Sequence, residues 1–397
     1  MAQRRGLLSA ASGMVLAVLV PGQTVVAQQT IEALPEEARL EVVEEWGVNV
    51  LPEASPRWVY VLDVAFDNLI ASRINIYDSD TGRFLGVVHS GFVPNLLLAP
   101  DKSELYVDET YYSRGTQGDR IDVLSIYDAK TLERTGEVIL PEGRALLVSK
   151  LPAAALSPDG RFVLSYNMAP ATSVSLVDIE ARKYVGEIES PGCALVYPTG
   201  ERSFSMLCPD GSLVDIAYDE SGGAEVFQNE PFFDSETDPV FSHGAIDIAG
   251  GRGFFVSYDG VLYEIGIENG RTALADQWSI LSAADAEEGW RPGGWQLLDY
   301  QPALRRVFVL MHKGPKWSHK WPGEEVWVLD PDRNERVARF ALEEPAISLM
   351  LTRESEPVLL TLTDTGTLGV LDPATGEQKR RIEGTGLTPF LLHAYAE

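Results

Sequence analysis

"INIYDSDTGRFLGVV" (Ile74–Val88) reads as a short apolar strand ending in an acid, a polar turn and a second strand. The phrase returns as "LSIYDAKTLERTGEV" (Leu124–Val138) and "VSLVDIEARKYVGEI" (Val174–Ile188). It continues in "GSLVDIAYDESGGAEVF" (Gly211–Phe227) and "GVLYEIGIENGRTAL" (Gly260–Leu274). It closes with "VWVLDPDRNERVARF" (Val326–Phe340) and "LGVLDPATGEQKRRI" (Leu368–Ile382). The marking acids are Asp78, Asp128, Asp178, Asp215, Glu264, Asp330 and Asp372. Their spacings are 50, 50, 37, 49, 66 and 42, with a mean of 49. A period of roughly 40–50 residues with several strands per unit is the mark of a β-propeller.

The second copy expands into four strands: "NLLLAP", "ELYVDE", "VLSIYD" and "RTGEVI". The first copy lacks an opening strand, because it begins at "RWVYVLDV" (Arg57–Val64). "LTPFLLHAY" (Leu387–Tyr395) resembles "VPNLLLAP" and follows the seventh copy. The expected fold is therefore all-β, a seven-bladed propeller whose C-terminal strand closes the first blade and removes the open edges. The marking acids are expected to cap the turns that follow them. "DSDTG" (Asp78–Gly82) resembles the start of a calcium loop, but the rest of that pattern is missing.

Three segments precede or make up this array. Residues 1–27 read as a cleaved signal peptide: Arg4 and Arg5, an uncharged apolar run, then Val25 and Ala27 as the cleavage pattern. Residues 28–56 read as an acidic arm, with Leu40, Val43 and Trp46 at helical spacing in a short helix. Residues 57–397 are assigned to the propeller. Export implies an oxidising compartment. With 59 acids against 32 bases, a formal charge of −27, the chain is a poor partner for nucleic acid or anionic membrane.

Cys193 and Cys208 are the two cysteines. Their spacing does not suit CxxC redox chemistry, and no histidine cluster completes a zinc site. In an oxidising compartment a disulfide is the default. They bracket the turn "YPTGER" (Tyr197–Arg202), so they are expected to face each other across a hairpin that opens the fourth blade.

No nucleophile elbow, P-loop or HExxH occurs. His312 and His319 flank "KGPKWS" and are expected to be exposed loop histidines rather than metal ligands. No metal site is expected, and no catalytic set is found in this chain. "GWRPGGWQLLDY" (Gly289–Tyr300) carries Trp290, Arg291 and Trp295, residue types that anchor interfaces and that also pack against blades. Phe92 stands on a Gly–Phe–Val–Pro connection between blades, where ligands and partners usually meet a propeller.

"GFVPN" (Gly91–Asn95), "PATSVSLVDI" (Pro170–Ile179), the Cys193…Cys208 "PDGSL" run, "GWRPGGWQ" (Gly289–Gln296) and "HKWPGEEVWVLD" (His319–Asp330) with "RVARF" together resemble one family. It is the heavy subunit of the quinoprotein amine dehydrogenases, of the methylamine and aralkylamine types. The resemblance runs from about Arg57 to Gly384. It implies a periplasmic tetramer of two heavy and two light subunits. It implies an oxidoreductase that converts primary amines to aldehyde and ammonia. The cofactor, tryptophan tryptophylquinone, is then carried by the light subunit together with the catalytic base. Electrons pass to a small copper protein or c-type cytochrome. The heavy chain supplies scaffold and part of the substrate channel, where Phe92 matches the family's channel phenylalanine. Cys193 and Cys208 match the family's disulfide. "GFVPN" and "GWRPGGWQ" are closer to the methylamine type, "PATSVSLVDI" and "HKWPGEEVWVLD" to the aralkylamine type. The competing readings are a non-catalytic binding propeller and a lactonase-like hydrolase.

Overall fold

The structure is a computed structural model and describes residues 50–395 apart from 142, 146, 147 and 191. The expected signal peptide and nearly all of the expected arm, with its expected helix, lie outside the described residues. The rest forms seven antiparallel sheets, one per blade. Six have four strands. The sixth has five, because its innermost strand is interrupted.

The second blade shows how sequence makes a blade. Its strands are Phe92–Leu98, Glu104–Arg114, Gln117–Asp128 and Arg134–Leu140. Inner strands are covered on both faces by neighbouring blades, so they read as continuous apolar runs rather than alternating ones. "WVYVLD" (Trp58–Asp63) is buried at every position. Outer strands keep the period of two: Glu335–Ala346 alternates exposed and half-buried side chains along its length. The packing between blades is continuous. One cluster joins Leu262 of the fifth blade, Val307 of the sixth and Leu349 of the seventh.

Closure occurs as the repeat count predicts. Pro389–His393 pairs antiparallel with Trp58–Asp63, placing Leu391 opposite Leu62 and His393 opposite Tyr60. The buried Asp63 carboxylate fastens this seam. It accepts from the backbone of Leu387 and of Thr388, both at 2.8 Å, and from Arg73 Nε at 3.0 Å. Innermost strands of neighbouring blades touch from the second blade round to the first.

The repeat markers divide into two kinds. Asp78 Oδ1 accepts from the amides of Asp80 and Thr81, and Asp128 Oδ1 from those of Lys130 and Thr131. Asp178, Asp330 and Asp372 cap their turns in the same way. Asp215 does not. It is buried within strand Leu213–Tyr218 and accepts from Thr272 of the fifth blade, N–H at 2.8 Å and Oγ1 at 2.6 Å. The turn there is capped by Asp219. That explains the short spacing of 37 before Asp215. Glu264 pairs with Arg252 rather than capping a turn. The long spacing of 66 holds a one-turn helix, Ala283–Glu287, with Ser282 and Asp285 forming a capping box.

Candidate functional site at one mouth of the ring

All innermost strands run the same way along the axis, so their first residues gather at one mouth. Phe92, the Leu151–Pro152 turn, the Phe241–His243 segment, the Gly294–Trp295 bend and Phe390 all mark this end. The last residues, among them Leu98, Tyr300, Met350 and His393, line a wider space at the opposite end. His243 borders both spaces.

Phe92 opens the second blade opposite Thr110, and its ring meets Tyr112 edge-on with centroids 5.2 Å apart. The next residue, Val93, has φ +48°, a region that a β-branched side chain rarely adopts. Arg144 holds this backbone in place. It is 2% exposed and donates to the carbonyls of Phe92 (3.3 Å), Val93 (2.6 Å) and Asp108 (2.8 Å). It also donates to Thr110 Oγ1 (2.9 Å), and its Nε pairs with Asp108 Oδ1 (3.1 Å). Asp122 accepts from the backbone N–H of Arg144, so the arginine is itself pinned. The Phe92 ring is thus aimed by a buried ion-pair network. Sequence gave no sign of Arg144, because a lone arginine between strands carries no pattern.

The Gly289–Gln296 stretch is the interruption in the sixth blade. Trp290–Pro292 and Leu298–Gln301 both pair with Arg306–Lys313, and the residues between them swing out. Glycine is required here by close approach. A Cβ on Gly293 would lie 2.2 Å from His312 Nδ1, and one on Gly294 would lie 2.8 Å from the Ile347 carbonyl. The excursion brings Gln296 to the seventh and first blades. Its amide accepts from Leu392 N–H at 2.8 Å and donates to Leu392 C=O at 3.1 Å. Its backbone carbonyl accepts from Leu349 N–H.

The three side chains singled out in this stretch go to different places. Trp290 is buried against Trp327, centroids 5.6 Å apart, and donates to Glu288 Oε2. Arg291 pairs with Asp259 of the fifth blade and donates to the Gly314 carbonyl. Trp295 reaches the mouth, packs on Phe390 at 4.8 Å and lies under Lys320 Nζ at 4.6 Å. Phe390 in turn meets the exposed Phe66. Trp317 and Trp321, on the loop after His312, are each about half exposed.

The histidines depart from the loop expectation. His312 lies inside strand Arg306–Lys313 and is buried, with Nε2 2.8 Å from Ser318 Oγ. Burial pushes it down to about 4. The apparent loop begins one residue later than the turn residues suggest. His319 stacks on Tyr258 with centroids 4.1 Å apart. His243 bonds the Leu298 carbonyl at 2.9 Å, and burial pushes it to about 4. His393 is pushed to about 3 by burial and by His243. Among the described residues no three His, Cys, Asp or Glu side chains group as a metal site would require.

Cys193 and Cys208 form a disulfide with Cα atoms 4.2 Å apart. They sit at the open end of the hairpin Ala194–Gly200 and Ser203–Leu207, beside the Ala194–Leu207 pair. Both are buried in the fourth blade's core.

A sequence model of the methylamine dehydrogenase heavy chain family matches residues 55–395. The methylamine dehydrogenase heavy chain of Methylophilus methylotrophus is 27% identical over 384 residues, covering 96% of this chain and 94% of that one. That of Paracoccus versutus is 29% identical over 343 residues, covering 86% and 80%. Among solved structures, a putative 6-phosphogluconolactonase from Bacteroides uniformis superposes with a TM-score of 0.58 at 11% identity, covering 85% of this chain and 98% of that one. The dihydro-heme d1 dehydrogenase NirN gives 0.56 at 16% identity, covering 88% and 77%. At such identities the structural likeness speaks to fold alone.

Proposed function

The chain belongs to the methylamine dehydrogenase heavy chain family, and from that premise we propose that it is the scaffold of an exported amine dehydrogenase whose quinone sits in a light subunit docked at the aromatic mouth. The observation that carries this reading is the mouth itself. Phe92 with Tyr112, Trp295 with Phe390 and Phe66, and the exposed Trp317 and Trp321 all gather at one end of the ring. Aromatic side chains of this kind anchor protein interfaces.

A tryptophan-derived quinone does not fit this chain's own residues. Trp290 and Trp327 are a close pair, but both are buried under Arg339 in the sixth blade, and their indole N–H groups are tied to Glu288 and Glu325. No substrate could reach them. On the family resemblance we assign the quinone, and the base that serves it, to the light subunit, in a complex of two heavy and two light chains. Phe92 walls the route of the amine. Trp295 meets the light subunit directly, while Trp290 and Arg291 hold the bend that presents it.

The substrate in this reading is methylamine, the amine named in the matched family and in the curated relatives. It leaves as aldehyde and ammonia, and electrons pass to a small copper protein or c-type cytochrome. The periplasm is the compartment that suits the leader-like N-terminus and the disulfide. Among the described residues no helix is long and apolar enough to cross a membrane. Reconstitution tests the reading. Neither subunit alone should oxidise methylamine, and the mixture should. Full activity of the light chain without this one would overturn it.

A further inference from the structure

The mouth contains a recess whose chemistry the amine-oxidising reading does not use. It is walled by Leu151, Phe241, Trp295 and Phe390 and offers about 50 Å³ to water-sized contents. That is room for a few small polar atoms, not for a metabolite. Two lysines face it, Lys150 and Lys320. Lys150 is half-buried and donates to Ser242 Oγ at 2.5 Å. Lys320 lies over the Trp295 ring.

What is missing is the counter-charge. Among the described residues none of those lining the recess is acidic, and neither lysine belongs to an ion pair. The chain as a whole carries 59 acids against 32 bases, and most of its arginines are paired. Lys102, Lys130 and Lys183 also lie outside any ion pair, but here two lysines come to one recess whose described lining holds no acid. Burying an ammonium group without a partner is costly. Burial, and after it repulsion by Lys320, pulls Lys150 below the ordinary lysine range. Ser242 accepts from Lys150, and its own hydroxyl proton has no acceptor among the described residues. Three donors thus border one small recess with apolar walls.

We propose that this recess binds a single carboxylate, held by Lys150, Lys320 and the Ser242 hydroxyl. A carboxylate suits the space, the hydrogen-bond donors and the apolar rim. The group can be a free carboxylate or an aspartate or glutamate side chain inserted from the light subunit. In the second case the inference rests on the docking reading above.

The test uses the full-length chain and sodium acetate as probe, with sodium chloride at matched ionic strength as control. Wild type should show a saturable rise in Tm with acetate. Lys150→Met should lose it, and so should Lys320→Met, whose exposed side chain can be replaced without a folding defect. The assembled complex separates the two sources. If a light-subunit side chain fills the recess, acetate will leave the complex's Tm unchanged and both variants will weaken assembly by on the order of tenfold or more. If the ligand is free, acetate will stabilise the complex as well, and assembly will be unaffected. Should no light chain bind even the wild type, the docking reading fails while the acetate response of the isolated chain still stands or falls alone. Equal acetate responses in wild type and both variants, with unchanged assembly, would overturn the proposal.

Discussion

The Phe92 ring owes its position to Arg144, a residue 52 positions away in sequence. Two substitutions separate their roles. Phe92→Ala removes a half-buried ring at the mouth and leaves the network intact. It should change the ratio of kcat/KM for methylamine and for a bulky amine by on the order of tenfold, with Tm nearly unchanged. Equal kinetics on both amines would take Phe92 out of the substrate's route. Arg144→Met strands the buried Asp108 carboxylate and frees the Phe92 and Val93 carbonyls. It should cost about 3–5 kcal/mol in urea unfolding; a loss under 1 kcal/mol would show that the network does not hold the strained Val93 turn. Buried His243 and half-buried His393 make stability depend on pH. Folded His243 and His393 stay neutral down to about 4 and about 3, whereas the unfolded chain takes up these protons near 6.5. Their contribution is fully present above pH 6.5 and is lost as pH falls toward 4. Each should cost on the order of 1–2 kcal/mol by pH 5. Asp128 and Asp372 titrate lower, below their ordinary 3.8, so the two windows separate. A urea midpoint that is flat from pH 7 to pH 4.5 would contradict this.

At the scale of single elements, the hairpin of the fourth blade and the bend of the sixth follow different logic. The disulfide closes a separation of 15 residues, and the loop-entropy argument gives about 3 kcal/mol for it. The Cys193→Ser, Cys208→Ser double variant should lose about that much and keep the assembled complex's turnover. A loss of turnover at temperatures where the variant stays folded would assign the pair a role beyond stapling. This hairpin was legible in the sequence because two cysteines bracketed an obvious turn. The bend at Pro292–Gln296 was legible only as odd. Its tryptophans announced importance, yet nothing local shows that Trp290 turns inward while Trp295 faces the mouth. That difference is set by Gln296 reaching Leu392, a contact 96 residues away. The turn caps were read correctly where Asp ends a strand. The reading failed at Glu264, which pairs with Arg252, and at Asp215, because a buried aspartate that crosses to Thr272 and one that caps a turn look alike in a chain.

For the whole molecule, the blade count and the closing strand were readable because a period near 49 survives even where individual strands vary. The links between blades were not. Asp63, Asp108, Asp215 and Asp299 each carry a bond to a segment far along the chain, and only the folded ring brings those partners together. Asp63→Ala should loosen the closing seam first, since it leaves two amides and Arg73 without their acceptor. Hydrogen exchange at 387–395 should then speed up before exchange elsewhere in the propeller, with a stability loss of about 2–4 kcal/mol. Uniform exchange across all seven blades would mean that the seam is no weaker than the rest. The central claim is that this ring is a scaffold for chemistry held by another chain. The most direct measurement is the visible absorption spectrum of the native complex and of its separated subunits, before and after methylamine. The account expects a quinone band in the complex and in the light subunit, bleached by the amine in the complex, and no such band in this chain. A band that stays with this chain after separation, or a complex that methylamine does not bleach, would contradict it.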